Sequence, residues 1–105
     1  MMNREEYLLD CLSEECAELS QVASKSMRFG LENIVPKSEE KKHNSDDLIT
    51  EYLQIIAVVE MLQEMGALPS IDYRKATNIK KKKKEKVEFF MKQYYNKKRG
   101  GDNNA

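Results

Sequence analysis

Along residues 4–28 the apolar side chains return every three or four positions, as Leu8, Cys11, Leu12, Leu19, Val22 and Ala23. That rhythm matches the helical repeat of about 3.6 residues and not the alternation of a strand. It recurs from about Ser45 to Met65, through Leu48, Ile55, Val58, Val59 and Leu62. A third segment starts between Ser70 and Ile79, reaches about Asn96 and carries Val87, Phe90, Met91 and Tyr94 on one side. No stretch alternates and there is no internal repeat. The chain is expected to be all-α, with three main helices.

The punctuation agrees with this division. Asn3 followed by Glu6 is a cap pair for the first helix, and Gly30 is its stop, with Arg28 facing the negative end of the helix dipole. Residues 31–44 read as a polar loop around Pro36. Ser45 or Asn44 can cap the second helix, with Asp46 and Asp47 in its first turn, and Gly66 and Pro69 end it. Residues 1–97 read as one helical domain and 98–105 as a disordered tail.

A chain of 105 residues with no Trp builds a modest core, so oligomerisation is a plausible remedy. The zero net charge conceals a split. Residues 1–70 hold 6 Lys/Arg against 14 Asp/Glu, a net of −8, while residues 71–105 hold 12 against 4, a net of +8. Such asymmetry suggests head-to-tail self-association or an anionic ligand held between the parts. Cys11 and Cys16 would point in different directions on one helix, so no disulfide is expected between them. The lone His43 has no neighbouring cysteine to make a zinc spacing. Free thiols fit a reducing compartment, and no apolar run is long enough for a membrane span. A cytoplasmic location is expected, with no membrane partner.

Two acids interrupt these apolar stripes. Glu15 lies between Leu8, Cys11, Leu12, Leu19 and Val22 on the helical wheel, with Glu18 at the margin of the same face. Glu51 lies between Leu48, Ile55 and Val58, with Gln54 at the next edge position and Asp47 one turn before it. A single Glu at the rim of an apolar face snorkels to water or pairs with a Lys. Acids on two facing stripes converge instead, and like charges that close need a cation between them. Hard oxygen ligands favour Mg²⁺, Mn²⁺ or Ca²⁺ over zinc. Glu15 is therefore expected to hold a divalent metal.

Lys25 and Arg28 follow Glu18 along the same side of the first helix. Lys83, in the run "KKKKKEK" at 80–86, is the lysine best placed to point inward on the third. Metal with flanking Lys and Arg is the composition of a polyphosphate site. The plainer accounts are dipole complementation for Lys25 and Arg28 and a solvated face for the lysine run.

The segments "EECAELSQVASKSMRFG", then "DLITEYLQIIAVVEML", then "KKEKVEFFM" resemble the MazG-like all-α nucleoside triphosphate pyrophosphohydrolases, in particular the short phage and bacterial members. The resemblance spans about residues 14–91. Its ordered set of E-x-x-E, S-K-x-x-R-F-G, a second acidic helix and K-x-x-K-V is far more specific than an isolated E-x-x-E. It implies that Glu15, Glu18 and Glu51 bind Mg²⁺ (or Mn²⁺), orienting a triphosphate and activating water. It also implies cleavage between the α- and β-phosphates, phosphate contacts from Lys25, Arg28 and Lys83, and a bundle completed as a homodimer or homotetramer. The family carries E-x-x-D on the second helix, and here Gln54 stands where the Asp would be. Gln offers a neutral carbonyl oxygen to a metal but no charge. Asp47 or Glu14 could compensate, or the site could be a weakened nucleotide-binding (sensor or sequestering) module. Phe29, Tyr52 and Tyr94 are candidates to hold the base, though such aromatics are more often core than base platform. A nucleic-acid binder is not expected, because the acidic N-terminal half would repel a polyanion.

Overall fold

The computed structural model describes residues 1–34 and 42–103. It has three helices, α1 (Arg4–Phe29), α2 (Asn44–Glu64) and α3 (Tyr73–Asn103), and no strand among the described residues. The chain divides into two compact units, Met1–Pro69 and Ser70–Ala105, inside and beyond the span read as one domain from the sequence.

The first unit is a helical hairpin. Asn3 caps α1 as its spacing to Glu6 predicts, its Oδ1 accepting from Glu6 N at 2.8 Å. Gly30 ends the helix at φ 93°, and its N–H donates to Ser26 O at 2.8 Å. A residue with a Cβ is strained at that φ, which is why glycine serves there.

The start of α2 corrects the expected cap. Its N-cap is His43 rather than Ser45 or Asn44. The Asp46 carboxylate accepts from His43 N at 3.1 Å, and the His43 ring meets Glu32 O through Nδ1 at 2.6 Å. Asn44 is unavailable as a cap because its side chain is buried and donates to Gly30 O at 3.0 Å. The backbone N–H groups of Asn44 and Ser45 donate to Asn33 O and Leu31 O, each at 2.9 Å. Two orphan donors of the helix start are thereby satisfied by the turn after α1. An isolated antiparallel bridge joins Ile34 to His43. Pro36 and the rest of the loop from 35 to 41 lie outside the described residues.

α1 and α2 pack along the faces that the periodicity marks out. Leu8, Val22 and Leu62 are buried, and Cys11, Leu12, Leu19, Leu48, Ile55, Val58 and Val59 are half-buried around them. Each fully buried aliphatic side chain contributes about 2 kcal/mol. Both cysteines are free thiols on α1. Beyond α2, Gly66 turns the chain at φ 81°, and Ala67 N and Leu68 N both donate to Leu62 O. Gln63 Nε2 then donates to Pro69 O at 3.1 Å, tying the exit segment to the helix end.

In the second unit, Asp72 caps α3: its Oδ1 accepts from Arg74 N at 2.9 Å and Lys75 N at 3.2 Å. The helix continues past Asn96, so residues 98–103 of the expected tail are helical and 104–105 lie outside the described residues. Lys97 and Lys98 are good helix formers, and nothing before the Gly100–Gly101 pair opposes continuation. Val87, Phe90, Met91 and Tyr94 share one side, as their spacing predicts, and all four are exposed. No helix among the described residues is long and apolar enough to cross a membrane.

Candidate metal centre

Glu15 and Glu18 are one turn apart on α1, and Glu51 stands across from them on α2. Each offers a ligand oxygen, and these atoms all lie within 4.8 Å of one another. Helical spacing makes the arrangement: Leu12 and Leu19 bracket Glu15, Leu48 and Ile55 bracket Glu51, and packing of those leucines and isoleucine draws the acids together. Glu15 and Glu51 are half-buried, while Glu18 is exposed. The cluster therefore opens to solvent on the Glu18 side.

Gln54 joins it. With its amide nitrogen turned toward the acids, Nε2 donates to Glu15 Oε2 at 2.9 Å and to Glu51 Oε2 at 3.1 Å. That orientation satisfies both ends of the amide, where the reverse would set its oxygen against two carboxylates. Gln54 thus serves here as a neutral clamp between the helices. A half-turn of the amide presents its carbonyl oxygen instead.

The crowding shows in Glu51, whose carboxyl is pushed up from 4.5 to about 7. Partial burial is the largest cause, followed by its hydrogen bond with Glu15 and repulsion from Glu18 and Glu15. A protonated Glu51 can donate to its neighbours, and a cation at the same place would do the proton's work.

The donor set suits a small hard cation. Octahedral ligation at about 2.1 Å sets ligand oxygens about 3–4 Å apart. The carboxylate oxygens of the cluster lie within 4.8 Å of one another, close to that spacing. Three carboxylates with one amide oxygen in reach match Mg²⁺ or Mn²⁺ and lack the sulfur or nitrogen that zinc prefers.

The remaining candidates are spread more widely. Asp47 is half-buried one turn before Glu51, and it is not among the carboxylates that converge. Lys25 lies two turns beyond Glu18 on the same side of α1, about 10 Å along the axis, with Arg28 about 15 Å along. Both line a shallow groove with Ser20, Gln21 and Ser24. Those three polar residues were not picked out from the sequence, although the four-residue steps from Gln21 to Lys25 and from Ser20 through Ser24 to Arg28 could have revealed them. Phe29 is exposed, with the Arg28 guanidinium 5.4 Å above its ring, and Tyr52 is exposed directly after Glu51. Lys83 and Tyr94 belong to the second unit, where they line one groove of α3 with Val87 and Phe90.

No protein-family model, curated protein or solved structure matches the chain.

Proposed function

We propose that this chain is a Mg²⁺-dependent nucleoside triphosphate pyrophosphohydrolase, cleaving between the α- and β-phosphates to give a nucleoside monophosphate and pyrophosphate. The observation that carries the reading is the convergence of Glu15, Glu18 and Glu51 from two helices. The sequence resemblance over residues 14–91 supplies the substrate class and the bond.

In this reading Glu15, Glu18 and Glu51 hold the ion, with the Gln54 carbonyl oxygen turned toward it. When bound, Mg²⁺ would neutralise phosphate charge and make the α-phosphorus more open to attack. Lys25 and Arg28 offset charge on the departing pyrophosphate, at distances along α1 that suit an extended polyphosphate. Water oxygen bonds to the α-phosphorus as the bond to the bridging oxygen breaks, and a carboxylate of the cluster takes the proton released. Phe29 and Tyr52 offer exposed ring faces to the base. A homodimer or homotetramer is the assembly proposed.

The test is a Mg²⁺ or Mn²⁺ pyrophosphate-release screen across canonical and modified nucleoside triphosphates, with Glu51→Ala alongside. The expected result is release by the wild-type chain and none by the variant, at equal helical content. Undiminished turnover in the variant refutes the assignment.

A second reading, a nucleotide-binding sensor or sequestering protein that turns over slowly, is favoured by Gln54 acting as a donor to the acids. It wins if nucleotide binds but only Gln54→Asp releases pyrophosphate.

A further inference from the structure

The start of α3 is charged against its own helix. Over residues 74–84, seven of eleven side chains are Lys or Arg and none is acidic. The first turns of α1 and α2 hold Glu5 and Glu6 and Asp46 and Asp47, whereas that of α3 holds no acid. Cations there face the positive end of the helix dipole. Lys80 also stands four residues from Lys84, and Lys81 three, spacings at which like charges destabilise a helix. All seven cations are exposed, and among the described residues none lies within ion-pair distance of a carboxylate.

These cations surround the helix axis. At about 100° per residue, the five lysines of residues 80–84 sweep more than a full turn, and the whole basic segment is about 15 Å long. Ile79, Val87, Phe90 and Tyr94 mark the side of α3 suited to packing, and Arg74 and Lys81, seven residues apart, fall on the opposite side. Thr77, Lys80, Lys81 and Lys84 line one shallow groove, with Glu85 at its end. Whatever packs on the apolar side, Arg74, Lys81 and Lys84 stay open to solvent.

A ligand that relieves this charge is a polyanion able to meet a helix on more than one side. A bilayer meets one side only, and Lys83 interrupts the apolar stripe that would enter it between Ile79 and Val87. The major groove of B-form DNA, about 12 Å wide, admits an α-helix and sets phosphates along both of its flanks. The major groove of double-stranded RNA is too narrow for that. Repulsion by the acidic N-terminal half weighs against a nucleic acid where both charge sets share one body. Here those acids belong to the unit Met1–Pro69 and these cations to a separate one.

We propose that residues 74–84 of α3 bind the backbone of double-stranded DNA, as a sequence-independent anchor on its phosphates. The contact is distinct from the nucleotide chemistry proposed above and needs neither the acid cluster nor a metal ion.

Binding of the full chain to a labelled DNA duplex of mixed sequence, read by fluorescence anisotropy in EDTA, tests it. Affinity should fall steeply with salt, at a log–log slope of about −0.9 for each phosphate neutralised. Lys81→Glu together with Lys84→Glu should weaken binding about tenfold or more and make that slope shallower by about 2, with the helix retained by circular dichroism. Lys97→Glu together with Lys98→Glu makes the same change of charge near the other end of α3 and should weaken binding no more than about threefold. No binding at about 50 mM salt, where phosphate contacts are strong, overturns the proposal. So does an equal loss from the two double variants, or binding to double-stranded RNA or to vesicles of anionic lipid as tight as to the duplex. With chelator present throughout, a chain that releases no pyrophosphate should still bind DNA, so the two readings fail separately.

Discussion

The side-chain nitrogen of Gln54 lies 2.9 Å from a carboxylate oxygen of Glu15, and so spans from α2 to α1. The same nitrogen reaches Glu51 at 3.1 Å. A neutral donor here relieves repulsion between acids without adding a charge that would help to hold a cation. Gln54 therefore stabilises the hairpin and, in the metal-binding reading proposed above, would limit its affinity for a cation.

These two effects separate by substitution. Gln54→Ala removes the clamp and should lower stability without divalent ions by about 1 kcal/mol, the low end for hydrogen bonds to charged groups because the position is exposed. Gln54→Asp adds a fourth carboxylate. It should destabilise the ion-free chain further, yet tighten Mg²⁺ or Mn²⁺ binding about tenfold or more by calorimetry. Equal ion affinity in wild type and Gln54→Asp would place the binding elsewhere.

The Glu51 carboxyl sets a pH dependence of definite sign. Its affinity for protons corresponds to about 7 in the folded chain against 4.5 ordinarily. Between those values the folded state keeps a proton that the unfolded state has lost. The stabilisation is fully present below about 4.5 and is lost as pH rises through about 7. Urea midpoints without divalent ions should thus fall between about pH 5 and pH 8, and Glu51→Gln should flatten the fall. Added Mg²⁺ should raise the midpoint near pH 8 and do little near pH 5, since binding needs the carboxylates ionised. Chelation should reverse the gain. A midpoint that climbs over this range in the ion-free chain would contradict the arrangement of acids described above.

Periodicity made the helices and the acid cluster legible in advance, because both follow from which residues share a face. Leu12, Leu19, Leu48 and Ile55 locate the packed faces, and Glu15 and Glu51 travel with them. What the pattern did not expose depended on side-chain competition. Asn44 and Ser45 both look like caps, but burial of Asn44 against Gly30 leaves capping to Asp46 and His43. The donor role of Gln54 was likewise hidden, since an amide presents an oxygen or a nitrogen with equal ease. The end of α3 was misplaced because Lys97 and Lys98 favour helix as much as they favour solvent.

Asn44 offers the most direct check on how the hairpin is closed. Its side chain is 3% exposed and donates to Gly30 O at 3.0 Å, while its own N–H meets Asn33 O at 2.9 Å. Gly30 ends α1 and Asn44 begins α2, so this one amide joins the two helix termini that the 31–43 connection links. Asn44→Ala removes the donor and leaves a small gap beside the Gly30 carbonyl, which keeps only the 3.3 Å bond from Asn33 N. The expected loss is about 1 kcal/mol, the net worth of one hydrogen bond. Asn44→Asp should cost at least as much, because its oxygens would face the Gly30 carbonyl and bring an unpaired charge into a buried position. Thermal melts of both variants measure the effect, and hydrogen exchange at Asn44 and Ser45 locates it. Unchanged melting in both would show that the helix ends are held without this contact.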